Sequence, residues 1–191
     1  QAQALLAGDA LQALAFELLV PEGAGIPDHV QAALCRLLAR AAGAEGMAGG
    51  QAIDLASVGK PLSEAQLRHM HMLKTGALLQ GSVQMGAECA QSPLTPQARD
   101  GLARYGAAVG LAFQVVDDIL DVTADSAALG KTAGKDAAAD KPTYVSVMGL
   151  DASCALAAQL GDEAHQALDA TGLAHVELLR ALADRVVNRS N

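Results

Sequence analysis

Residues 95–122 read TPQARDGLARYGAAVGLAFQVVDDILDV, and this stretch decides the fold class. Thr95 and Pro96 spell a helix start: a hydroxyl able to cap free amides, then an imino acid whose missing N–H costs nothing in a first turn. Apolar residues follow on every side, at Leu102, Val109, Leu111, Phe113, Val115, Val116, Ile119 and Leu120, without the alternation of a half-buried strand. A helix that is apolar all round belongs inside a protein. Into its last turns come Gln114, Asp117, Asp118 and Asp121, whose offsets of 0, 3, 4 and 7 keep them within an arc of roughly 100°.

Like charges three or four residues apart cost roughly 0.2–0.5 kcal/mol on an exposed helix and more when desolvated, so the stripe calls for a positive partner. Oxygen donors without His or Cys suit a hard cation, and magnesium accepts one or two carboxylates together with water and substrate phosphate. A solvated acidic face is the alternative, and the flanking apolar residues weigh against it. A calcium loop is excluded, because Asp121-Val122-Thr123-Ala124-Asp125-Ser126 lacks the third ligand and the sixth-position glycine. Gly130-Lys131-Thr132 is not a Walker A loop either, since residue 125 is Asp and the preceding element is a helix.

Working outward, the punctuation divides the chain into about eight helices with no strand pattern. The first closes at Pro21-Glu22-Gly23, the second runs from Pro27-Asp28 to Gly43, and the third covers Gly46 to Val58. Ser63, with Gln66 three residues on, forms a capping box, and Leu62 packing on Leu67 supplies the staple for a helix reaching about Ala90. Glycines 76, 81 and 86 inside it predict a kink or close helix contact. Residues 124–141, small and polar with three lysines, are too long for a tight connection and read as a functional loop. Helices resume after Pro142, with Asp151 and Thr171 opening the last two; Arg180, Arg185 and Arg189 suit a helix C-terminal dipole.

On the Ser63 helix, His71, Lys74, Thr75 and Leu78 share one face at offsets 0, 3, 4 and 7. Lys74 there needs an anion, or else snorkels to water. His69 and His71 lie about 200° apart around a helix and cannot chelate one metal, so core or surface roles suit them better. The polar pairs Gln51/Asp54 and Asp9/Gln12 read as packing or capping. Lys131, Lys135 and Lys141 could fold over a polyanion beside the carboxylates.

Composition narrows the class. Aromatic residues make up 2% of the 191, against 51% hydrophobic overall, which favours an all-α domain packed through alanine and leucine. A formal net charge of -8 argues against a nucleic-acid surface. Cys35, Cys89 and Cys154, odd in number and set in apolar helical patterns, predict reduced core thiols and no structural disulfide. No stretch of about eighteen apolar residues runs free of charges or helix breakers, so no membrane span is expected, and the reading is a cytoplasmic protein. The chain starts inside a helical pattern without Met, which suggests a true N-terminus upstream.

Read in order, Gly8-Asp9-Ala10-Leu11, Gly46-Met47-Ala48-Gly49-Gly50-Gln51-Ala52-Ile53-Asp54-Leu55 and His71-Met72-Leu73-Lys74-Thr75-Gly76-Ala77-Leu78-Leu79 resemble successive blocks of the trans-prenyl diphosphate synthase family, nearest its bacterial farnesyl diphosphate synthases. Phe113-Gln114-Val115-Val116-Asp117-Asp118-Ile119-Leu120-Asp121, with Leu129-Gly130-Lys131, Gly134-Lys135-Asp136 and Asp140-Lys141, looks like that family's second aspartate-rich motif and following loop. The resemblance covers essentially the whole chain. It implies a helical bundle of the isoprenoid synthase type around a substrate cavity, working as a homodimer. It also implies magnesium-dependent ionisation of an allylic diphosphate, attack by isopentenyl diphosphate and proton elimination.

By the same resemblance Asp117 is a direct magnesium ligand supported by Asp118 and Asp121. Lys74, Lys131 and Lys141 contact diphosphate, Thr75 and Gln114 face the allyl group, and Gln51, Asp54 and Asp136 stand behind them. One departure matters: the family's first aspartate-rich motif lies upstream of the Gly-Asp-Ala-Leu block, and nothing in these residues replaces it. The isopentenyl diphosphate site and the determinants of product length would lie there too, so these 191 residues alone are expected to be inactive. Ten- or twenty-carbon products are the alternative to the fifteen-carbon one. Terpene cyclases, from whose second metal motif Asp121 diverges, and a non-catalytic helical partner subunit are the rival readings.

Overall fold

The computed structural model describes residues 2–123 and 142–189. Thr95 caps the decisive helix as expected, its Oγ1 accepting the Ala98 amide at 3.1 Å. The helix then runs over Pro96–Thr123, 28 residues or roughly 42 Å, and its buried residues lie mainly between Gly101 and Asp118. Around it lie α1 (Ala2–Leu19), α2 (Asp28–Ala42), α3 (Met47–Ala56), α4 (Glu64–His71), α5 (Ala77–Glu88), α7 (Tyr144–Met148), α8 (Leu150–Thr171) and α9 (Glu177–Val187), with Pro96–Thr123 as α6. The described residues hold no strand, and the fold is all-α as composition and periodicity predict.

Helix α6 is the axis of the bundle, packed by α5, α7, α8 and α9. Two apolar clusters string along it. Leu102, Tyr105 and Val109 meet Ala164 and Leu168 of α8 and Ala183 of α9 at one end. At the other, Leu111, Val115 and Val116 meet Leu67 and Met70 of α4, Tyr144 of α7 and Leu160 of α8. Ser63 and Gln66 form the predicted capping box of α4, and Leu62 joins Leu67 in the same cluster, so the staple is present.

The long helix expected from Ser63 is broken into two α segments by a π-helical turn at Met72–Gly76. Such turns commonly sit at functional sites, where the extra residue per turn re-aims side chains. This one carries Lys74 and Thr75. Backbone lies close to it on both sides. A Cβ on Gly110 of α6 would stand 2.9 Å from the Gly76 Cα, and a Cβ on Gly50 of α3 would stand 2.1 Å from the Lys74 amide nitrogen. Gly81 likewise meets Ala41 of α2, whereas Gly86 faces open space, so two of the three helix glycines serve contact.

Two expectations need correction. Thr171 ends α8 instead of opening the last helix: its Oγ1 donates to the Leu168 carbonyl and accepts the Leu173 amide, and α9 begins only at Glu177. The cysteines are free, but Cys89 and Cys154 are exposed and Cys35 half-buried, because the helical patterns that hold them turn those positions outward. Helix α1 is by length and composition apolar enough to cross a membrane, its mean hydropathy being 1.2 despite Asp9 and Glu17. None of it is buried, and Leu5, Leu6, Leu11 and Leu18 are each about two-thirds exposed. Asp9 and Gln12 are exposed with them.

Candidate active site

Two helices, α3 and α6, pack against the π turn. From α3, the Asp54 carboxylate, 5% exposed as a residue, accepts a hydrogen bond from Lys74 Nζ at 2.7 Å. The anion that Lys74 requires is therefore supplied in part by the protein itself. An ammonium has three donors, so this bond orients the head while leaving donors for a second anion. Gln51, three residues before Asp54 on α3, is half-buried.

Thr75, the next residue, reaches α6 instead. Its Oγ1 lies 3.4 Å from Gln114 Oε1, whose Nε2 donates to Asp118 Oδ1 at 3.0 Å. Asp118 Oδ2 in turn accepts the Tyr144 amide at 2.8 Å, at the first residue of α7. A hydrogen-bonded chain thus runs from the π turn through α6 to the helix that follows residues 124–141. Thr143 and Ser146 hold the start of α7 with a second capping box.

The carboxylate stripe is accordingly split. Asp118 is 2% exposed and spends both oxygens on protein donors, while Asp117 and Asp121 remain half-buried on the outer side. Among the described residues no three His, Cys, Asp or Glu side chains gather around one point. Asp117 and Asp121, one turn apart, are the donors that fit a magnesium ion, since it needs only one or two carboxylates when water and phosphate fill the remaining positions. Asp118 fits the supporting place that the resemblance gives it. Lys131, Lys135, Lys141 and Asp136 lie outside the described residues.

Sequence reasoning missed two residues here. Arg189, read only as a helix-end cation, pairs with Asp117 through Nη2 to Oδ1, and its guanidinium lies 4.5 Å from the Phe113 ring centroid. Tyr144, fully buried, stacks on His71 with ring centroids 5.7 Å apart. Neither pairing leaves a local signal, since each joins residues more than seventy positions apart. His71 points inward, 6% exposed, which is a core placement.

Both His71 nitrogens and the Tyr144 hydroxyl are buried without a hydrogen-bond partner among the described residues. Burial first, and then the Lys74 charge, lowers the His71 pKa from 6.5 to about 4, with Asp54 opposing. Burial likewise pushes the Tyr144 phenol upward. His71 is therefore neutral in the folded protein, and as pH falls the unfolded chain takes up its proton first. Its contribution is intact above about pH 6.5 and is lost between there and pH 4, a fall of about 3 kcal/mol. Thermal melts of His71→Leu and wild type across this window test it: the variant's melting temperature is expected to fall less steeply, and parallel curves would refute the assignment.

A helical bundle with paired carboxylates on its central helix and a lysine held at a π turn defines a class, and comparison with known proteins places the chain in it. Residues 1–175 match the polyprenyl synthetase family, and the chain belongs to that family. It is 51% identical over 174 residues to a protein of Bradyrhizobium diazoefficiens named probable farnesyl diphosphate synthase, covering 90% of this chain and 52% of that one. A chloroplastic geranylgeranyl pyrophosphate synthase of Capsicum annuum is 43% identical over 190 residues, covering 98% and 51%. Among solved structures, the Helicobacter pylori geranyltransferase complexed with magnesium and isoprenyl diphosphate superposes with a TM-score of 0.80 at 34% identity, covering 98% of this chain and 60% of that one. The chain thus spans about half the length of these two named relatives.

Proposed function

We propose that this chain forms the second aspartate-rich half of a prenyltransferase that condenses isopentenyl diphosphate with dimethylallyl or geranyl diphosphate to give farnesyl diphosphate. In this reaction the allylic carbon–oxygen bond breaks with its electron pair leaving on diphosphate. The isopentenyl double bond then attacks the allylic cation, and loss of a proton restores an alkene. The single observation that carries the reading is the arrangement of Asp117 and Asp121 outward, with Asp118 bound inward to Gln114 and Tyr144.

Asp117 and Asp121 would hold the magnesium, which when bound neutralises charge growing on the departing diphosphate. Lys74, oriented by Asp54, donates to the same polyanion, and Lys131 and Lys141 join it by the family resemblance. Gln114 and Thr75 present their polar atoms at the junction of α6 and the π turn, where the allyl group would lie. Gln51 and Asp136 support these residues, as does Asp54. The buried apolar residues of α4 and α6 keep water from the cation.

A single domain over 1–191, a homodimer and a cytoplasmic location belong to the same proposal, and the uncovered leucines of α1 support association with further protein. Identity to the farnesyl synthase relative exceeds that to the geranylgeranyl one, which favours the fifteen-carbon product over the twenty-carbon alternative. The test is diphosphate release by the full-length protein from isopentenyl plus geranyl diphosphate, with the prenyl product identified by mass. Farnesyl diphosphate is expected; magnesium-independent release, or none at all, would overturn the reading.

A further inference from the structure

The counter-charge that the acid stripe demands is already present in this structure, and it is an arginine. Arg189 pairs with Asp117 Oδ1 while its guanidinium covers Phe113 at 4.5 Å from the ring centroid. Phe113 and Asp117 are four residues apart on α6, hence neighbours on one face, so one side chain meets both. The two contacts differ in kind, one charge to charge and one cation to ring, and both act on the carboxylate assigned above to metal.

We propose that Arg189 is an internal competitor for the metal: it occupies Asp117 in the metal-free protein and must swing away before a divalent ion takes that oxygen. The inference rests on the reading of Asp117 as a ligand. An arginine cannot leave by losing its proton, so only competition displaces it.

The movement required is small. Val186 and Val187 pack into the core beside Tyr144 and Leu160, and Asn188 is tied back to the Asp184 carbonyl through both its amide and its Nδ2. Helix α9 is thereby anchored up to the residue before Arg189, whose long stem can carry the guanidinium off alone. Asp117 is 43% exposed and Arg189 30%, leaving the pair open to incoming ions and to salt. The device keeps Asp117 oriented in a bundle that would otherwise hold like charges side by side, and it raises the metal concentration needed to load the site.

The experiment is Mn2+ titration of the full-length protein without substrate, followed by electron paramagnetic resonance, for wild type, Arg189→Gln, Arg189→Lys and Asp117→Ala. Arg189→Gln is expected to bind Mn2+ about fivefold more tightly than wild type, equivalent to about 1 kcal/mol, the upper end for a solvent-open ion pair. Arg189→Lys, which keeps the charge without the planar stack, falls between them, and added potassium chloride narrows the gap. If Asp117→Ala loses binding while Arg189→Gln matches wild type, the competitor idea fails and the ligand assignment survives. If Asp117→Ala binds as wild type does, both fail. Thermal melts of each variant confirm that folding is retained.

Discussion

Asp117→Ala in the full-length protein is expected to lower kcat by about 10²–10³ while leaving the melting temperature nearly unchanged. On the proposed reading the activity loss follows from removing a carboxylate that would hold charge-stabilising metal against a leaving diphosphate, an effect comparable with deleting one preorganised electrostatic group. The stability result follows from position. Asp117 is 43% exposed and its bond to Arg189 is an ion pair open to solvent, a class worth roughly 0.2–1 kcal/mol.

Asp118→Ala supplies the contrast, because it strands the buried Tyr144 amide and the Gln114 Nε2, an unpaired buried donor costing roughly 1–3 kcal/mol. Steady-state kinetics with circular-dichroism melts on both variants separate the two roles. A kcat for Asp117→Ala within a few-fold of wild type would remove Asp117 from the metal site.

Gly50→Ala is expected to destabilise the protein by about 1–3 kcal/mol and to damage activity with it. Its Cβ would stand 2.1 Å from the Lys74 nitrogen, 2.5 Å from the Lys74 Cα and 2.8 Å from the Leu73 carbonyl carbon. These are backbone atoms that no side-chain rotation can relieve, so α3 and the π turn have to part. Asp54 rides on α3 and Lys74 on the π turn, and their 2.7 Å bond opens with the same motion. A misplacement of about 1 Å at a positioned group can cost about 100-fold in rate.

Gly86→Ala is the control, since nothing lies within 4 Å of its Cβ position. There the ordinary helix preference for alanine over glycine, about 0.8–1.0 kcal/mol, should show as a gain in stability. Chemical denaturation of both variants reads the difference, and a Gly50→Ala protein as stable as Gly86→Ala would mean that α3 and the π turn tolerate separation.

What could be read along the chain was what depends on neighbours in sequence. The Thr95 cap, the Ser63–Gln66 box and the all-α class follow from contacts within a few residues, where spacing dictates geometry. The aspartates of α6 were legible for the same reason, because a helix of known pitch gathers Asp117, Asp118 and Asp121 within one arc of roughly 100°. Periodicity states that three acids crowd one side; it does not state which of them meets water and which meets protein.

That choice fell to contacts between segments far apart in sequence. Tyr144 draws Asp118 inward across 26 positions and Arg189 takes Asp117 across 72. Gly50 and Gly110 let α3 and α6 approach the π turn, which no count of 3.6 residues could foresee, and there Lys74 bonds to Asp54 on α3 while Thr75 reaches Gln114 on α6. The sequence alone marked out the acids of α6 and Lys74 as candidates for a metal and a diphosphate. The tertiary structure decided their partners, because desolvation and hydrogen bonding of a carboxylate depend on what packs over it, and packing is a property of the assembled bundle.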